Sequence, residues 1–164
     1  MPEGVTVRPL TPADEAQARG LYGLSVGALD CALVRDERYW DQWVAVERRG
    51  AYVALSEGCV IVYVDVKADD RAVRLTDFAA REEHAPLLVA VMREIAKVNG
   101  MPPFALIPAR FAVDQLAAGV AYPVEDSVMI RVNSPLSLRG GDIETIQQLR
   151  EVVTDPVFFE VDGF

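Results

Sequence analysis

Histidine and cysteine are scarce in this chain, and that scarcity excludes several chemistries at once. The single histidine, His84, rules out a multi-histidine metal centre, and no metal is expected. The two cysteines, Cys31 and Cys59, show no CxxC spacing and support neither a structural zinc site nor a disulfide framework. No apolar run approaches the ~18–20 residues that a membrane helix needs. Positive charge is also short, with 16 Lys and Arg against 25 Asp and Glu and a net charge of −9. A field of that sign repels phosphate backbones, which disfavours nucleic acids and anionic membrane surfaces as partners. The opening Met1-Pro2-Glu3-Gly4 carries no basic and apolar leader, so a cytoplasmic location is expected. What is present is 164 residues, 51% apolar and 25% charged, the length and composition of one globular domain. Such a chain can bury roughly 68–70% of its unfolded surface.

Hydrophobic periodicity orders the elements. Val5-Thr6-Val7-Arg8-Pro9-Leu10 alternates as a strand does. Thr11-Pro12-Ala13-Asp14 then opens a helix, with threonine at the cap, proline at the first helical position and aspartate three residues past the cap. Ala18, Leu21, Tyr22 and Val26 follow on one face, and a second helix is predicted over 35–46, where Tyr39 and Trp43 share a face beside Trp40. The runs 51–55 and 59–66 are β-rich and joined by Ser56-Glu57-Gly58 as a tight hairpin, with a third strand over 72–79. Alternation in that strand places Val73, Leu75 and Asp77 on one face and Arg74, Thr76 and Phe78 on the other. A helix over 86–98 carries the stripe Leu87, Val91, Ile95 and Val98, with Gly100 just past its end. Beyond it the pattern reads strand 104–107, helix 112–118 and strand 128–132. In the tail, Asp142 is the cap of a last helix bearing Ile143, Ile146, Leu149 and Val153. The loop 133–141 is the candidate boundary between a main body, 1–133, and a C-terminal helix and tail, 134–164. That tail is expected to pack back on the domain or onto a second copy in a homodimer.

The order β-α-α-β-β-β-α-β-α-β resembles that of the GNAT-type N-acyltransferases. Val7 to Asp14 is similar to the family's opening strand and helix cap. Arg74-Leu75-Thr76-Asp77-Phe78-Ala79-Ala80 is similar to the central strand that meets the acyl-CoA arm, Leu87 through Ala96 to the helix that follows, and Leu116-Ala117-Ala118-Gly119-Val120 to a short helix and glycine turn. The resemblance implies a mixed α/β fold, a twisted and mainly antiparallel sheet with helices on both faces. It also implies acetyl-CoA or another acyl-CoA as co-substrate and a small-molecule amine as acceptor. Where the family carries a glycine-rich pyrophosphate loop, this chain reads Ala80-Arg81-Glu82-Glu83-His84-Ala85-Pro86, without glycine and with two added carboxylates. Where the family often has an acidic tyrosine, it has Gln115.

Within that frame Asp77 is the candidate base, since an amine must lose a proton before or as it attacks a thioester. A buried carboxylate needs a partner, and Tyr63 and Arg131 on other strands can supply one; the alternative is a paired, purely structural Asp77. The amides of Phe78 and Ala80 resemble those that hold a pantetheine arm, and Arg81 and His84 stand where phosphates would lie. Tyr39, Trp40 and Trp43 are candidates for an acceptor wall, or else for core. Gly23-Leu24-Ser25-Val26-Gly27 matches a nucleophile elbow, but a helix rather than a strand precedes it. Two functions follow: an acyl-CoA-dependent amine acyltransferase, or a degenerate non-catalytic binding or dimerisation module. The segment 80–86 discriminates them.

Overall fold

The computed structural model describes residues 1–26, 33–48, 50–105, 136–138 and 141–143. Strand β1 (Val5–Pro9) leads into a single 3-10 turn (Pro12–Asp14) and helix α1 (Glu15–Leu24). Asp14 organises that start. Its Oδ2 accepts from the Thr11 amide at 2.9 Å and the Thr11 hydroxyl at 2.6 Å, while Arg8 grips both of its oxygens at 2.6 and 2.8 Å. The Arg8 guanidinium, and then Thr11, hold the Asp14 carboxyl well below the usual carboxylate range.

Helix α2 is continuous but changes winding. It runs as α-helix over Glu37–Tyr39, as π-helix over Trp40–Val44 and as α-helix again over Ala45–Glu47. The helix therefore starts two residues later than its periodicity predicts, because Arg35 is engaged elsewhere and Asp36 takes the cap, accepting from the Tyr39 amide at 2.7 Å.

Strands β2 (Ala51–Ser56), β3 (Cys59–Ala68) and β4 (Val73–Ala80) follow. The β2–β3 turn is two residues long, with Glu57 at φ +51° and Gly58 at φ +80°. Two successive left-handed residues match the twist of a hairpin, and glycine carries the second without cost. Between β3 and β4, Asp69 Oδ1 accepts from the Arg71 and Ala72 amides at 2.8 and 3.0 Å, and its other oxygen accepts from Arg74. A second 3-10 turn (Glu82–His84) leads into helix α3 (Ala85–Asn99), which ends on Gly100 at φ +68°. Strand β5 (Pro103–Phe104) closes this part, and β6 (Leu136–Leu138) pairs with β7 (Gly141–Ile143) in a two-stranded ribbon.

The main sheet has the order β1-β2-β3-β4-β5, antiparallel throughout except for the parallel β4–β5 pair. Helices α1 and α2 lie on one face. Helix α3 covers the other with Leu88, Val91, Met92, Ile95 and Ala96. Val62, Val64, Phe78 and Ala80 present that second face through the pairs Val64↔Phe78 and Val62↔Ala80.

Three expectations are corrected. Val98 is 85% exposed, because the buried stripe of α3 runs through Leu88 and Met92 and turns Val98 outward. Val73 and Leu75 do not share a face with Asp77. Asp65 pairs with Asp77 but Val66 pairs with Leu75, so Thr76 is a bulge residue that resets the alternation. Asp142 is not a helix cap, since Gly141–Ile143 is extended and hydrogen-bonded to Leu136–Leu138 within the expected boundary loop. The expected elements at 112–118 and 128–132, and the tail beyond 143, lie outside the described residues.

Candidate active site

The bulge in β4 turns Asp77 toward α1 and α2, where it is fully buried. Arg35 meets it there: Nη1 donates to Oδ2 at 2.8 Å and Nη2 to Oδ1 at 3.2 Å. Neither side chain has any solvent exposure. Arg35 belongs to the short segment between α1 and α2, and its guanidinium lies 4.2 Å from the Tyr22 ring and 5.1 Å from the Trp40 ring. Those rings meet edge to face at 5.5 Å. Arginine suits this place because its planar cation stacks on aromatic faces and grips a carboxylate with two parallel bonds. The segment is tied at a second point, where the Tyr22 hydroxyl donates to the Leu33 carbonyl at 2.9 Å.

Directly across from Asp77 stands Asp65, also buried. Like charges facing each other across two strands are unfavourable unless each is satisfied. Asp65 accepts from the Thr76 hydroxyl and from the Gly50 amide, both at 2.9 Å. A Cβ on Gly50 would lie 3.2 Å from the Val66 carbonyl, a tight contact that glycine avoids. Tyr63 lies one pair further along the same face, fully buried, its ring edge to face with Trp40 at 6.4 Å. Its hydroxyl has no hydrogen-bond partner among the described residues. Burial first, and then the Asp77 and Asp65 carboxylates, push this phenol well above its ordinary value, so it stands as a neutral O–H. Beyond it, Arg48 pairs with Glu15 through both oxygens and borders an open cleft of about 270 Å³ that Thr11, Glu15 and Ala45 also line.

At its far end β4 runs into α3 through an extended Arg81 and the 3-10 turn, in which the His84 amide donates to the Arg81 carbonyl at 2.9 Å. A helix N-terminus set at the end of a central strand is an ordinary place for an anion. Here Glu82 and Glu83 are exposed at that point, and Pro86 removes one amide. Arg81 reaches Glu83 only loosely, at 3.9 Å, with both side chains more than half exposed. His84 is half-buried, and its Nδ1 has no partner among the described residues. The side chains of Phe78 and Ala80 are fully buried. Strand β5 meets β4 at Val73 and Arg74, and Ala105 is already out of the strand, so the described pairing on that edge stops before Asp77.

The structure therefore gathers Asp77, Phe78 and Ala80 on one strand and places Arg81 and His84 at its exit. It separates the aromatic group. Trp40 is core, 3% exposed, whereas Trp43 is 55% exposed and Tyr39 half-buried, because the π turn carries the two tryptophans to different sides. The partner of Asp77 is Arg35 rather than Tyr63; Arg131 and Gln115 lie outside the described residues. Ser25 follows α1 and donates its hydroxyl back to the Leu21 carbonyl at 2.7 Å, the ordinary behaviour of a helix-end serine. Sequence reasoning missed Arg35. It lies 42 residues from Asp77 with no motif around it, and the one available signal was an arginine just ahead of a helix cap.

Among the described residues no group of three or more His, Cys, Asp or Glu could hold a metal ion, and no helix is long and apolar enough to cross a membrane.

Comparison with known proteins bears on the fold. No family model and no curated protein sequence matches the chain. Solved structures do. An aminoglycoside acetyltransferase, meta-AAC0020, from an uncultured soil metagenomic sample aligns with a TM-score of 0.54 at 13% identity, covering 79% of this chain and 97% of its own. A ribosomal-protein-alanine N-acetyltransferase from Brucella melitensis biovar Abortus 2308 aligns at 0.53 and 17% identity, covering 79% and 99%. The aminoglycoside antibiotic 6'-N-acetyltransferase AAC(6')-Ih from Acinetobacter baumannii aligns at 0.50 and 14% identity, covering 80% and 99%. The chain also spans 37% of the length of a larger Pyrococcus horikoshii protein at 10% identity. The chain has the mixed α/β fold of the GNAT acetyltransferases.

Proposed function

We propose that this protein is an N-acyltransferase of the GNAT type, moving an acyl group from acyl-CoA to the amine of a small molecule. The observation that carries this reading is the junction of β4 with α3 in a sheet of this order, which sets a helix N-terminus at the end of the central strand. The similarity to solved acetyltransferases over 79% of the chain supports it at the level of the fold. In this reading the amides of Phe78 and Ala80 hold the pantetheine arm, Arg81 and His84 face the phosphates, and Tyr39 stays the aromatic residue on the acceptor side. The amine nitrogen forms a bond to the thioester carbonyl carbon, the carbon–sulfur bond breaks, and CoA leaves as a thiol with the proton the amine gives up. Asp77 is shut away from solvent with both oxygens on Arg35, so the acceptor enters as its free base and Asp77 serves as an anchor.

One observation favours a second reading, a binding or dimerisation module without catalysis: Glu82, Glu83 and Pro86 stand at the helix start where phosphates would lie. Calorimetric titration with acetyl-CoA, with CoA alongside, separates the two. Micromolar binding is the expected result. Absence of binding at millimolar ligand leaves the module.

A further inference from the structure

We propose that Arg35 is a positioning residue for the transfer reaction, acting through Asp77 to lock residues 33–36, which lead into α2, onto the bulge of β4. The inference rests on the acyltransferase reading above and deepens it. Three elements converge on one guanidinium: Tyr22 of α1 at 4.2 Å, Trp40 of α2 at 5.1 Å and Asp77 of β4 at 2.8 Å. The segment that bears it is held at Leu33 by the Tyr22 hydroxyl and at Asp36 by the start of α2. Asp77 in turn sits in the bulge, where Thr76 binds Asp65 across the strands. A displacement of Arg35 therefore moves the segment at 33–36 and the strand carrying Asp77, Phe78 and Ala80 relative to each other.

A bidentate buried pair is suited to this because it defines distance and orientation together, which a single point charge does not. In the acyltransferase reading, an acceptor amine on the Tyr39 side, three residues past Asp36, must reach a thioester laid along β4. Misplacing reacting groups by an ångström can reduce a rate by about a hundredfold. The pair thus governs acceptor approach and leaves donor binding alone.

The test uses the full chain, acetyl-CoA as donor and a panel of simple primary alkylamines, with release of free thiol followed and the best acceptor adopted as the probe. Arg35→Lys, Arg35→Gln, Asp77→Asn and the double variant Arg35→Gln/Asp77→Asn are compared, each normalised to folded protein. Positioning predicts that Arg35→Lys lowers kcat/KM for the amine about ten- to hundredfold while the calorimetric affinity for acetyl-CoA stays within about twofold of wild type. It also predicts that the double variant, with a neutral amide pair and no unpaired buried charge, recovers at least about fivefold over each of its single variants. A double variant as slow as Asp77→Asn alone would show that relieving the unpaired charge restores no geometry and would overturn the inference. Unchanged kcat and KM per folded molecule in Arg35→Lys would reduce the pair to a structural one and overturn it equally. A wild type that binds no acetyl-CoA, or transfers to none of the amines, removes the acyltransferase reading itself and the inference with it. That failure appears before any variant is made, so the two are told apart.

Discussion

The two faces of the central sheet are built on different principles. Toward α3 the strands present Val62, Val64, Phe78 and Ala80, all of them buried and apolar, against Leu88, Val91, Met92 and Ile95. On the other face the same strands present Asp77 to Arg35, Tyr63 to Trp40 and Asp65 to Thr76 and the Gly50 amide. Apolar packing is tolerant of exchange so long as volume and pattern are kept. A buried polar cluster is not, since each group that loses its partner bears a full desolvation penalty. The first face holds the fold together, and the second defines how three elements meet. That contrast can be tested from its most sensitive point outward.

On the polar face the largest loss of stability is expected from removing one member of the buried pair. Arg35→Ala or Asp77→Ala should destabilise by about 3–5 kcal/mol, read from the urea midpoint at unchanged slope. Arg8→Ala, which breaks a pair whose arginine is 37% exposed, should have a clearly smaller effect. Equal losses would mean that burial does not distinguish the two arginines.

On the apolar face Phe78→Ala should lose about 3–5 kcal/mol and Leu88→Ala about 2–5 kcal/mol. Phe78→Leu should lose less than Phe78→Ala, because most of the volume is retained. Ranking the three by thermal unfolding checks whether this face responds to volume.

Tyr63→Phe sharpens the comparison because it changes one oxygen atom on the polar face. With no partner for the hydroxyl among the described residues, its removal should change stability by less than about 1 kcal/mol in either direction. A loss of several kcal/mol would mean the hydroxyl is bonded to a group outside those residues or to a buried water.

The smallest effect expected is pH-dependent. Asp69, held by the Arg71 and Ala72 amides and then by Arg74, titrates at about 2, below its ordinary 3.8, and Asp14 is lowered in the same direction. A depressed carboxyl stabilises the folded state above its unfolded value, and the contribution is lost as pH falls toward the folded value. The acid limb of unfolding should therefore steepen between about pH 4 and pH 2, and Asp69→Asn should flatten part of it. An unchanged limb would show that the turn between β3 and β4 is not a source of acid sensitivity.

Much of the fold was legible because local rules agreed with one another. Thr11-Pro12-Ala13-Asp14 reads as a helix start, and Asp14 makes those bonds with Thr11. Ser56-Glu57-Gly58 reads as a hairpin, and Glu57 and Gly58 adopt the two left-handed conformations it needs. Ala18, Leu21 and Tyr22 read as one face and are buried together. Where one residue breaks a period, the reading failed downstream of it. Thr76 enters β4 as a bulge and sends Leu75 to the face opposite Asp77. The π turn over Trp40–Val44 parts Trp40 from Trp43. In the candidate site Asp77 was legible as a carboxylate on the central strand, but its counterion was not.

The sequence alone determined the strand and helix order up to Phe104, the caps and the turns, because these depend on neighbours within a few residues and on side chains that favour one backbone conformation. It also determined the acidic character of the chain and the absence of glycine between Ala80 and Pro86. Only the tertiary structure decided that Asp77 faces Arg35, that Asp65 faces Asp77 and that Tyr63 is sealed among them. Those encounters span up to 42 residues of chain. Their energies come from excluding water around charges, a property of the folded interior that no local pattern encodes.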